Sequence, residues 1–183
     1  MPDFEPLLSA IHRIQTEITW LTPERDIGLE PGGPADAAAI RRAELRLHWA
    51  LPPSYRAFLA LHDGWQRFFE GASLLGTAHL GRRIYAEGAR AVFNAAETPV
   101  PLVGPPIPKP TGIEPFPFGA DAACTTFFAF NPAVTDADGE YEVICWVNEI
   151  GLRCANFVDF LQTVHEHLSD NLASIAHYAE LSA

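Results

Sequence analysis

With 183 residues, 48% hydrophobic and 11% aromatic against 19% charged, the chain can bury a sizeable core and lies far from disordered composition, and one domain with decorations is expected at this length. Of the net charge of −11, residues 1–113 hold −1 (12 acidic, 11 basic) and residues 114–183 hold −10 (11 acidic against Arg153), a field that repels nucleic acid and anionic lipid and favours a basic partner. The opening Met1-Pro2-Asp3-Phe4 lacks the regions of a secretory signal, and no apolar run approaches the roughly 20 residues that span a bilayer. A cytoplasmic location is therefore expected.

Leu7, Ile11, Ile14, Ile18 and Leu21 recur at spacings of four and three, which predicts an amphipathic helix over 4–21 that ends at Thr22-Pro23. Gly28 to Pro34 reads as a turn or short linker, and Asp36 can cap a second helix with Ile40, Ala43, Leu47 and Leu51 on its inner face. Pro53 is suited to a first helical turn, so a third helix opens there. Tyr55, Phe58, Leu59 and His62 form its stripe and Asp63-Gly64 its stop. One or two short strands are expected between Trp65 and Gly76. A weaker helix follows over Arg82 to Glu97, with Ile84, Tyr85, Ala89 and Phe93 spaced for one face.

Eight of the sixteen prolines lie between Pro99 and Pro117, a density that predicts a stiff, extended loop without regular structure. Cys124 to Phe130 and Tyr141 to Val147 are apolar on both alternating sets, as in central strands covered on both faces. Asn131-Pro132 and Asp136 to Gly139 supply turn chemistry between them. Asn156 and Asp159 are spaced as a capping box for a last helix striped by Phe157, Leu161, Val164, Leu168 and Ile175. The order of elements predicts an α+β fold.

Signatures of chemistry are sparse. No nucleophile elbow, Walker loop or Rossmann fingerprint occurs, so no enzyme activity and no cofactor are expected. His165 and His167 sit two apart on a helix and diverge by about 200°, which prevents joint chelation. Asp136 to Glu140 fails the calcium-loop pattern, because Val147 stands where the twelfth-position glutamate belongs. Cys124, Cys145 and Cys154 lack Cys-x-x-Cys spacing and read as buried, reduced thiols. His62 reads as a hydrogen-bonded, partly buried histidine, and Phe127, Phe128 and Phe130 as core. Trp65, Phe68 and Phe69 follow a helix stop, where aromatics can anchor an interface; Trp65 is the best candidate of the three.

The run Leu51-Pro52-Pro53-Ser54-Tyr55-Arg56-Ala57-Phe58-Leu59-Ala60-Leu61-His62-Asp63-Gly64 resembles the signature of the SUKH superfamily, a helix that begins Leu-Pro-x-x-Tyr-x-x-Phe-Leu and ends in Asn-Gly. Pro117-Phe118-Gly119-Ala120-Asp121 is similar to its Pro-Phe-Gly-x-Asp element. Gly139 to Trp146 resembles its next strand, and Asn156-Phe157-Val158-Asp159-Phe160-Leu161 the opening of its last helix. Together these cover about Asp36 to Leu168. Asp63 stands where asparagine is usual, Asn148-Glu149 where His-Glu is common, and the segment 99–117 looks like an insertion.

The resemblance implies a central mixed β-sheet flanked by helices. It also implies protein binding: many bacterial members are immunity proteins of polymorphic toxin systems, often against nucleases, and fungal members act in cell-wall regulation and signalling. A nuclease is basic where it holds an anionic backbone, so an inhibitor presenting carboxylates can occupy that face. The expected partner is a cognate toxin domain with a basic surface. The expected contact residues are Asp121, Asp136, Asp138, Glu140, Glu142 and Glu149, with Trp65 as apolar anchor. The rival readings are a scaffold module without a toxin partner, and an enzyme holding a metal on the Asp121 to Glu149 carboxylates.

Overall fold

The computed structural model describes residues 4–22, 30–95, 100–101, 115–147 and 150–181. Helices α1 (Glu5–Leu21), α2 (Ala37–Leu47) and α3 (Pro53–Leu61) precede strands β1 (Trp65–Phe69) and β2 (Ala72–Leu74). Then come α4 (Arg83–Ala95), β3 (Val100–Pro101), β4 (Phe116–Ala120), β5 (Thr126–Thr135), β6 (Tyr141–Val147), β7 (Ile150–Cys154) and α5 (Phe157–Leu181). The strands form one sheet in the order β1-β2-β4-β5-β6-β7-β3. Every pairing is antiparallel except that of β3 with β7, so the α+β fold with a mixed sheet is as expected.

Alternation along the central strands explains the two-sided apolar pattern. Phe128, Phe130, Val143 and Cys145 face a large core with α1, α3 and α5, whereas Phe127, Ala129 and Trp146 join a smaller cluster with Ala89 of α4. Tyr55 of α3 lies at the centre of the large core, 5.0–5.4 Å from the rings of Phe58, Phe118, Phe130 and Phe157. Its hydroxyl donates to the Leu75 carbonyl at 2.8 Å, with that of Phe118 at 3.2 Å. Gly119 is required by close approach: a Cβ there would lie 2.4 Å from the Phe128 ring.

The helix boundaries follow their caps. Asp36 accepts from the Ala39 N–H at 2.6 Å and opens α2, while His48 in the left-handed region (φ 57°) closes it before Leu51, which is nonetheless buried. At the end of α3, Gly64 adopts φ 93°. The Asp63 carboxylate accepts from the N–H and hydroxyl of Thr77, tying the helix stop to the segment after β2. His62 is half-buried, with Nδ1 3.2 Å from the Gly32 carbonyl.

Several expectations are corrected. Asn131-Pro132 is not a turn but lies within β5, where the register with β6 shifts between Asn131 and Thr135. A bulge tolerates the proline that a regular ladder would not. The proline-rich segment has strands at both ends: Pro101 ends β3 at the sheet edge and Pro117 lies in β4 at another register shift; residues 102–114 lie outside the described residues. Strand β7 carried no sequence expectation. Ile84 is 71% exposed and Leu21 45%, so neither joins the buried stripe of its helix; the side chain of Phe93 lies outside those described.

Candidate interaction surface

At one end of the sheet the β5–β6 turn meets the N-termini of two helices. The first turn of α3 carries no side-chain cap from its own flank, because Pro52 occupies the capping position. Glu140 caps it instead from 86 residues away: its carboxylate accepts from the Ser54 N–H at 2.8 Å and from the Ser54 hydroxyl at 2.6 Å. At α5, Asn156 accepts from the Asp159 N–H at 3.0 Å, and Asp159 accepts from the Ala155 N–H at 2.7 Å. This is a capping box displaced by one residue. Both carboxylates sit at the positive ends of helix dipoles, which favour negative charge there.

Between these helix ends lies a groove of about 610 Å³ walled by Asp136, Asp138, Glu140 and Asp159, with Asn156 and Gln162 on the α5 side and Pro53 on the α3 side. Oδ1 of Asp136 accepts from the N–H groups of Asp138 and Glu140, both at 2.9 Å, which fixes the turn. Asp138 is exposed. Four carboxylates therefore share one mouth, and that of Asp138 accepts no hydrogen bond among the described residues.

The structure divides the expected contact residues. Asp136, Asp138 and Glu140 come together as described. Asp121 lies beyond the opposite end of β5, where it accepts from the N–H and hydroxyl of Thr125. Glu142 is corrected: at 6% exposure it is bonded to Asn131 Nδ2 at 2.8 Å and paired with Arg153, because a carboxylate buried in a sheet must be compensated. Trp65 is corrected too. It is 2% exposed, held by the rings of His12, His62 and Phe68 at 5.6, 6.0 and 5.3 Å, so it anchors α1 to the sheet rather than a partner. Glu149 lies outside the described residues.

Asp159, Asn156 and Gln162 were missed as groove residues. The capping box was visible in the sequence, but its position beside the β5–β6 turn depends on how α5 folds back over the sheet. His167, expected on an exposed helix face, is exposed, 3.5 Å from Glu70 and edge-on to Phe69. All three cysteines are buried and unpaired. Burial pushes the Cys145 thiol far up and that of Cys154 to about 12. Cys124 is raised by burial and then by Asp121. No group of three or more His, Cys, Asp or Glu residues among those described could hold a metal ion, and no described helix is long and apolar enough to cross a membrane.

The mixed sheet, the Tyr55-centred helix and the capped last helix define an α+β domain of the SUKH type. The chain matches the SMI1 / KNR4 family (SUKH-1) over residues 34–163 and belongs to that family. A search of curated proteins gives no match. The matched span begins after α1 and ends within α5, and the elements that carry the resemblance are architectural: Tyr55, Phe58, Phe118 and Phe157 are all fully buried.

Proposed function

We propose that this protein is an immunity protein that binds and neutralises a cognate toxin domain acting in the cytoplasm, a nuclease presenting a basic surface. It acts by occupation and turns over no substrate. The groove of Asp136, Asp138, Glu140 and Asp159 carries this reading, supported by membership of a family rich in toxin inhibitors. Two carboxylates are held by helix ends, which orients them in advance, and Asp138 is left to meet an arginine or lysine. Charges of this kind steer association and, when desolvated against a partner, couple by about 1.5–7 kcal/mol.

The test is co-expression with candidate nuclease toxin domains in a sensitive host, followed by binding measurements on the pair that gives rescue. Rescue from one toxin and not from others is expected. Asp138→Lys should weaken binding by about tenfold or more at low salt, chiefly through a slower on-rate, with stability unchanged. Failure to rescue from any nuclease domain refutes the toxin assignment, and unaltered affinity of Asp138→Lys at low salt removes the groove from the interface.

A further inference from the structure

The groove has a neighbour of opposite character. Helix α2 buries Ile40 and Ala43 and turns Arg41, Arg42 and Leu45 to solvent, with Trp49 just beyond its end; Leu45 is 73% and Trp49 39% exposed. Arg41 and Arg42 form no ion pair among the described residues. Residues four apart on a helix are neighbours, so this is an apolar spot flanked by two guanidinium groups, in a chain whose net charge is −11.

The chain brings the Trp49 end of this spot close to the groove. Glu44, on the next edge of α2, accepts from the Leu51 N–H at 3.0 Å and pairs with Arg56 of α3 at 2.9 Å. Its field also reaches Tyr141, raising that phenol beyond the effect of burial. Tyr141 adjoins Glu140, which lines the groove and bonds Ser54 at the start of α3. Only Leu51 and Pro52 separate Ala50, the residue after Trp49, from Pro53, which lines the groove. The molecule thus carries a basic, apolar patch and, near its Trp49 end, an acidic groove, the pair of opposites an isologous contact uses: a two-fold axis between them sets each on its opposite.

We propose that two copies of this chain associate about such an axis, with Arg41, Arg42, Leu45 and Trp49 of each copy covering the groove of the other. Net repulsion between two acidic molecules acts over distance and is screened beyond about 8 Å at physiological salt, whereas paired halves meet at contact. The dimer buries the exposed leucine and tryptophan, and a basic partner must then displace a copy to reach the groove. The inference concerns self-association and stands apart from the toxin reading, since its test contains no partner.

Sedimentation velocity of the full chain, at ~50 mM and ~500 mM salt, decides it. The wild type should carry twice the monomer mass at low salt and shift toward monomer at high salt. Arg41→Glu/Arg42→Glu and Asp138→Lys/Gln162→Lys change exposed side chains outside the capping bonds, so each should stay folded by circular dichroism and be monomeric. Mixed, they should restore a 1:1 dimer, because each variant then offers the charge the other lacks. Leu45→Ser should weaken the dimer at every salt concentration. A wild type monomeric at low salt, dimers insensitive to both reversals, or a folded mixture that stays monomeric would each overturn the proposal.

Discussion

Removing the Glu140 carboxylate should destabilise the fold itself, because α3 has no other cap. In Glu140→Ala the Ser54 N–H and hydroxyl both lose their acceptor, at a residue 2% exposed. Hydrogen bonds to a charged group contribute about 1.5–3 kcal/mol, and loss of a helix cap costs about 0.5–2 kcal/mol. The two descriptions concern the same bonds and do not add, so about 2 kcal/mol is expected. Urea unfolding should show a lower midpoint at unchanged slope, and the melting temperature should fall by roughly 4–8 °C for a chain of this size. Glu140→Gln retains an acceptor for the N–H and should lose about half as much. Ser54→Ala in each background closes a double-mutant cycle whose coupling should reach at least about 1 kcal/mol. Additive effects within about 0.3 kcal/mol would refute the hydroxyl bond, and an unchanged stability of Glu140→Ala would refute the cap. A wild-type melting point combined with lost partner binding would show that Glu140 serves the interface alone.

Breaking the Asn131–Glu142–Arg153 trio should also destabilise. Glu142→Ala leaves Arg153 and Asn131 without their acceptor, and because Arg153 is one-third exposed the loss should fall below the 3–5 kcal/mol of a fully buried pair, at about 2 kcal/mol by urea titration. Alkaline pH should destabilise the protein as well. The thiols of Cys145 and Cys154 are held above their ordinary value of 9.0, so the unfolded chain releases those protons first. The stability difference is fully present below about pH 9 and is lost as pH rises toward 12, and buried Tyr55, raised by burial and then by Asp63, adds to the same trend. Urea midpoints should therefore fall steadily between neutrality and pH 10.5; a flat profile would contradict the burial. At pH 8 a thiol reagent should label the native protein slowly and three thiols rapidly in denaturant.

The layers of the fold were readable where periodicity is strong. Five helices and the two-sided strands follow from stripes such as Tyr55, Phe58 and Leu59, and from the two apolar sets of Phe127 to Phe130. Short elements were not readable. Ile150–Cys154 alternates too briefly to be separated from a loop. Pro117 suppressed the expectation of β4, although a register shift accommodates it. The contact residues were the least legible, because an acidic residue in a list of carboxylates carries no mark of its burial. Glu142 looks like Asp138 in sequence, and only the ladder placing it opposite Asn131 separates a buried ion pair from a solvated charge. Trp65 was misread for a related reason: a tryptophan after a helix stop can point either way, and what covers this one is α1, more than forty residues upstream.

The structural assignments change what the charge split means. Among the eleven acidic residues of the last 70, Glu142 is neutralised by Arg153, Asp121 and Asp136 close turns, and Glu140 and Asp159 satisfy helix N-termini. Much of the excess is therefore committed to the fold, and the total overstates what a partner meets. The committed charges are not lost to recognition, however. A capping carboxylate keeps lone pairs directed outward, and its position is already fixed, so a partner's guanidinium finds it without the ordering cost that a mobile side chain imposes. Where capping brings two helix ends to one turn, the electrostatics that stabilise the fold also concentrate negative potential in one groove. The proposed interaction surface and the architecture of this end of the sheet then share the same residues, and Asp138 and Gln162 are the groove positions whose substitution tests the proposal while leaving the capping bonds alone.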